Sequence, residues 1–105
     1  IIFQKINPGN YSVYRDMAII INGPRKLRNQ LLVKLHKNNI QAKSYFFPPL
    51  HKKTVYRKWS RNLKLLNTEW LADRIINLPL HAEITFSEID KVCNIIKSLF
   101  DKEKK

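Results

Sequence analysis

Glycine and cysteine are nearly absent from this chain: Gly9 and Gly23 are its only glycines and Cys93 its only cysteine among 105 residues. Two isolated glycines cannot build a loop whose backbone amides close around a phosphate, which excludes a P-loop and a dinucleotide fingerprint. The G-x-S-x-G elbow that exposes a serine nucleophile is missing for the same reason. A lone cysteine forms no internal disulfide. Cys93 falls among Ile89, Val92 and Ile96, a spacing that predicts core packing on a helix of a cytoplasmic protein.

Long apolar runs are also lacking. No stretch approaches the ~20 residues that span a bilayer, so no membrane partner is expected. The opening Ile1-Ile2-Phe3-Gln4-Lys5 has neither a methionine nor the layout of a signal peptide, and the chain is expected to begin inside a longer protein.

The third scarcity is negative charge. Between Asp16 and Glu69 there is no acidic residue, while twelve Lys and Arg fall there, so this segment carries the whole net charge of +12. A one-signed block concentrates phosphates, whether on nucleic acid, lipid or a nucleotide-bearing small substrate. Against a dedicated site stands the composition itself, with 14 Lys, 13 Ile and 10 Asn. Such a bias scatters lysines over any surface.

With hydrophobic residues at 44%, what is present suits one small domain with a real core. Asn7-Pro8-Gly9-Asn10 reads as a turn. Tyr11 to Ile21 reads as a strand, ended by Asn22-Gly23-Pro24, with Pro24 suited to a first helical position. Leu27, Leu31, Leu32 and Leu35 recur at helical spacing up to Asn38-Asn39, which offers a left-handed stop. Ile40 to Phe47 alternates as a strand does, and Pro48-Pro49 ends it. Leu50 to Leu66 is a basic, irregular stretch with a short helix around Thr54 to Trp59. Asn67 suits the N-cap of a helix carrying Leu71, Ile75 and Ile76, and Asn77 to Leu80 is a short extended segment. Thr85 and Glu88 form a capping-box signature before Ile89, Val92, Ile96, Leu99 and Phe100, predicting a last helix that frays in the Lys-rich tail. The order predicts a two-layer α/β (α+β) domain, a sheet of three to four strands with helices on one face.

Complete chemistry is hard to assemble from these residues. His36, His51, His81 and Cys93 make no metal-ligand spacing, and no metal site is assigned. Glu69, Asp73, Glu83, Glu88 and Asp90 fall at helix starts or exposed helical positions, where the helix dipole explains them. The unusual stretch is Tyr45-Phe46-Phe47-Pro48-Pro49-Leu50-His51, an aromatic pair and an imidazole on a backbone pinned by prolines. Its histidine can bond a phosphate, carboxylate or sugar hydroxyl, or simply satisfy a loop carbonyl.

Taken together, Phe3-Gln4-Lys5 with Pro8-Gly9-Asn10, the strand Tyr14 to Ile21, Asn39-Ile40-Gln41-Ala42-Lys43, Tyr45 to His51 with Tyr56, and Asn77-Leu78-Pro79-Leu80-His81 before the Thr85 helix resemble the C-terminal domain of DegT/StrS-type sugar aminotransferases. The resemblance implies a fold-type-I enzyme whose large domain binds pyridoxal phosphate and whose small domain closes the cleft of a homodimer. It makes residues 1–10 a linker from that large domain and residues 11–105 the small domain. It further implies transfer of an amino group from glutamate to a keto sugar on a nucleoside diphosphate, for surface polysaccharide or glycoconjugate synthesis. The Lys-x-Tyr-Phe-x-Pro-Pro-Leu-His form looks like the 4-keto subgroup. No lysine here matches the family's Schiff-base motif, so no catalytic or cofactor-binding residue is expected in this chain, and the fragment alone is expected to be inactive. His51, Tyr45, Phe47, Tyr56 and Lys43 are the residues expected beside the substrate. Lys43, Lys52, Lys53, Arg57 and Lys58 would favour a diphosphate.

Two other classes compete. A nucleic-acid-binding module would use the pI near 10.1 and the aromatics Tyr45, Phe46, Phe47, Tyr56 and Trp59, but no RNP1-like strand, G-x-x-G loop or zinc-finger spacing supports it. A non-catalytic dimerisation domain would show an apolar patch on Met17 to Ile21 or the last helix.

Overall fold

The computed structural model describes residues 1–103. Three short strands form an antiparallel sheet in chain order: β1 (Ile2–Phe3), β2 (Met17–Ile20) and β3 (Ile75–Leu78). Ile19 lies opposite Ile76, and Met17 opposite Leu78. Because strand side chains alternate, these four share one face, and there Ile19 and Ile76 are fully buried. They meet Leu31 and Leu35 of helix α1 (Arg25–Lys37) and Ile95 and Ile96 of helix α4 (Phe86–Glu103). Each such aliphatic side chain contributes about 1.5–3 kcal/mol by leaving water.

The helix ends follow local chemistry. Pro24, with φ −69°, caps α1 rather than opening it. Lys34, His36 and Lys37 sit in its last turn, where cations complement the exposed carbonyls. Asn39 takes φ 62° and ends the helix in the left-handed conformation its short polar side chain tolerates. At α4, Glu88 donates its backbone N–H to Thr85 Oγ1 at 3.1 Å and Thr85 donates its own to Glu88 Oε2 at 3.0 Å. The predicted capping box is therefore formed. The predicted fraying concerns Lys104 and Lys105, which lie outside the described residues.

Several expectations are corrected. Ile40 to Phe47 is not a strand: only Lys43 bridges, to Asn77. The alternation is real, since Ile40 and Ala42 are buried. Beyond it the chain curls away, the Phe47 amide bonding back to the Ser44 carbonyl at 3.1 Å. Ile75 and Ile76 leave the predicted helix for β3. Helix α3 runs only Leu66–Ala72, because this β-branched pair completes the sheet opposite Ile19 and Ile20. Asn67 is inside α3, not its cap. The amide of Leu65, which does cap it, bonds the Glu69 carboxylate at 3.1 Å. The strand predicted from Tyr11 shrinks to Met17–Ile20, and Tyr11 and Val13 are almost wholly exposed. The turn at Asn7 to Asn10 forms, with Gly9 at φ 85°, but Ile2–Phe3 ahead of it is an edge strand. Cys93 is exposed, not core. It borders an apolar groove of about 480 Å³ between α4 and the sheet, with Phe3, Met17 and Leu80 opposite. Of the predicted stripe, Ile96 is buried and Val92, Leu99 and Phe100 pack against the core, whereas Ile89 is exposed and Ile95 takes a core place instead.

No helix among the described residues is long and apolar enough to cross a membrane.

Candidate functional site

The Lys43–Pro49 segment leaves the sheet edge at Asn77, a buried polar residue. Backbone groups of Lys43 and Asn77 bond each other both ways, at 3.0 and 2.7 Å. The Asn77 side-chain carbonyl then accepts the Tyr45 amide at 2.9 Å. A short amide side chain can supply this acceptor one step beyond where the ladder stops. The next bonds, Tyr45–Phe46 and Phe47–Pro48, are cis. Along this segment runs a short aromatic strip: Tyr45 and Phe46 lie with ring centroids 5.0 Å apart, and Lys43 Nζ lies 5.9 Å from the Tyr45 ring centroid.

Phe47 is held differently. Its ring, 40% exposed, takes the guanidinium carbons of Arg25 and Arg28 at 5.3 and 5.0 Å from its centroid, within cation–π range. Arg28 is fully buried. Its Nη1 donates to Ser44 Oγ at 2.6 Å and to the carbonyls of Ala72 and Ile75 at 2.9 and 3.2 Å, while Nε donates to Asn29 Oδ1 at 2.8 Å. Ser44 Oγ in turn donates to the Ile75 carbonyl at 3.0 Å. Burial draws the Arg28 guanidinium below the ordinary arginine range, with Asp73 opposing the effect and Arg25 adding to it. Lys43, Ser44, Phe47, Arg28 and His36 border an open cleft of about 720 Å³.

After Pro49 the chain makes two 3-10 turns, Leu50–Lys52 and Thr54–Tyr56, and a single helical turn, α2 (Arg57–Ser60). The His51 side chain is only 6% exposed, with Nε2 3.7 Å from Glu69 Oε1. At that separation the contact is electrostatic and not a hydrogen bond, and Nε2 has no hydrogen-bond partner among the described residues. The same Glu69 oxygen takes Lys52 Nζ at 2.6 Å. The bond from Lys52, then its charge, the Leu65 amide and His51, hold the Glu69 carboxyl below the usual carboxylate range despite partial burial. Ser60 Oγ bonds the His51 and Tyr56 carbonyls, closing the loop on itself.

The expected site residues thus form two groups. Lys43, Tyr45 and Phe47 make a strip fixed from beneath by Asn77 and Arg28. His51 and Tyr56 belong to the following loop, fixed by Glu69 and Ser60, and no hydrogen bond or ion pair among the described residues joins the groups. Of the basic residues assigned to a diphosphate, Lys52 is engaged by Glu69. Arg28, Asn77 and Glu69 are functional supports that the sequence alone does not single out, Glu69 being explained there by the helix dipole. One signal was there: Arg28, Leu31 and Leu35 stand at i, i+3 and i+7, so the arginine shares the helix's inward face.

The model of the DegT/DnrJ/EryC1/StrS aminotransferase family matches residues 2–97, and the chain belongs to this family. Among solved structures it is similar to a DegT DnrJ EryC1 StrS aminotransferase from Brucella abortus, with a TM-score of 0.76 and 27% identity over 91% of this chain. The match covers 25% of the Brucella protein, so the chain spans about a quarter of that relative's length.

Proposed function

We propose that this chain is the small domain of a pyridoxal-phosphate-dependent aminotransferase that passes an amino group from glutamate to a nucleotide-linked keto sugar, the 4-keto form fitting its aromatic-Pro-Pro-Leu-His run. Family membership supports the reaction class. The reading of this segment as a substrate wall is carried by one observation: Lys43, Tyr45 and Phe47 stay exposed although Asn77 bonds the Tyr45 backbone and Arg28 bonds the Ser44 hydroxyl beneath them. Exposed rings on a fixed backbone suit a sugar or base face, because little freedom is lost on contact.

Pyridoxal phosphate does not fit the described residues. Lys52 is engaged by Glu69 and Lys43 lies over Tyr45. Neither glycine opens a cradle, since Gly9 sits in an exposed turn and a Cβ on Gly23 would meet Leu27 at 3.1 Å. The cofactor, which would serve as electron sink when bound, belongs to another part of the longer polypeptide. What these residues do is bind and orient. Tyr45 and Phe47 offer ring faces, Lys43 offers a cation to a diphosphate, and His51, buried beside Glu69, holds the turn that carries the loop. The segment's excess of positive charge draws an anionic substrate toward this wall. In a homodimer the wall would close one side of the cleft.

The test is to purify the longer protein that carries this domain and record its absorbance. Bound pyridoxal phosphate, with glutamate-dependent amination of a nucleotide-linked 4-keto sugar, is the expected result. A cofactor-free protein that binds nucleic acid in a salt-dependent way would overturn the proposal.

A further inference from the structure

Arg28 is the only charged side chain fully buried among the described residues. Its nearest acid is otherwise engaged, Asp73 pairing with Arg25 at 3.6 Å. A buried cation without a carboxylate partner is costly, and an apolar residue of similar length would fill the same space on the inward face of α1. Such a residue would leave the Ala72 carbonyl short of a donor and the Ile75 carbonyl with Ser44 Oγ alone. It would also loosen the loop, because the guanidinium joins the Phe47 ring to the α3–β3 junction and adds a second bond to Ser44. The planar fork gives fixed directions to its hydrogen bonds, and its flat face is what stacks on an aromatic ring. Lysine carries the charge and lacks both properties.

We infer that Arg28 is a positioning residue for the substrate wall: through Ser44 and the Phe47 ring it sets where the aromatic strip stands relative to the sheet. Substrate affinity then depends on a side chain that substrate does not touch, a role that rests on the proposed aminotransferase function for its substrate and on geometry alone for its positioning. Asn77 fixes the backbone at Tyr45, and Arg28 fixes the ring two residues on.

Two substitutions separate this role from simple filling of the core. Arg28→Lys removes the fork. Ser44→Ala cuts one of the two ties to the loop, leaving only the stack on Phe47, while the Ala72 and Ile75 carbonyls keep their arginine, so it keeps the fold where Arg28→Lys weakens it. In the 105-residue chain, nuclear Overhauser contacts between the Phe47 ring and the residue-28 side chain are read by NMR. In the longer enzyme, KM and kcat for the nucleotide-linked sugar are measured. Loss of the ring contacts in both variants is expected, with KM raised about tenfold in Arg28→Lys and about threefold in Ser44→Ala, and kcat within about twofold of the parent. A Phe47 ring that keeps its place in both variants overturns the positioning role. So does a displaced ring with KM unchanged. A wild-type enzyme inactive on every nucleotide-linked sugar overturns the proposed function instead, and the ring contacts alone then decide the positioning.

Discussion

Asn77 Oδ1 accepts the backbone amide of Tyr45 at 2.9 Å, a bond between residues 32 apart in sequence. It links β3, at the edge of the sheet, to the first aromatic of the exposed strip. Because Asn77 is buried, its acceptor cannot be replaced by water without opening the sheet edge. Asn77→Ala is expected to cost about 1–3 kcal/mol and to speed hydrogen exchange at the Tyr45 amide. Denaturant melts and amide exchange measure both, and unchanged Tyr45 exchange would mean that the strip is held by something else.

Glu69 makes the loop after His51 sensitive to acid. Its carboxyl is held low chiefly by the bond from Lys52, so in the folded chain it stays charged where the unfolded chain, titrating near ~4.3, already takes up a proton. The stabilisation is complete above about pH 4.3 and is lost as pH falls through the lower folded value. Glu69→Gln should therefore lower the melting temperature near neutral pH and flatten its fall on acidification. A variant whose melting temperature drops with acid as steeply as the wild type would remove Glu69 from this role.

At the start of α4, Thr85→Ala deletes one half of a reciprocal cap. A loss of about 1 kcal/mol is expected, read as a lower denaturation midpoint with unchanged denaturant sensitivity. Thr85→Ser should restore most of it.

That cap shows what a sequence reader can see: two polar residues at fixed spacing specify a local geometry that the rest of the fold leaves alone. The leucine stripe of α1 and the left-handed Asn39 are legible for the same reason. Ile75 and Ile76 are not, because they continue the helical spacing from Leu71, and only the empty sheet edge opposite Ile19 and Ile20 turns them into a strand. In the site, the Tyr45 to His51 run stands out by composition. Its supports do not, since the bonds from Asn77 and Arg28 join residues far apart in sequence, and Glu69 looks like any acid in a first helical turn until Lys52 is seen against it.

We propose that the Lys43–Tyr56 segment faces the substrate of an aminotransferase. Hydrogen–deuterium exchange of the longer, cofactor-loaded enzyme, with and without a nucleotide-linked keto sugar, tests this placement. Slower exchange in the amides from Lys43 to Tyr56 on adding the sugar is the predicted result. Protection confined to other parts of the enzyme, with this segment exchanging as before, would contradict the account.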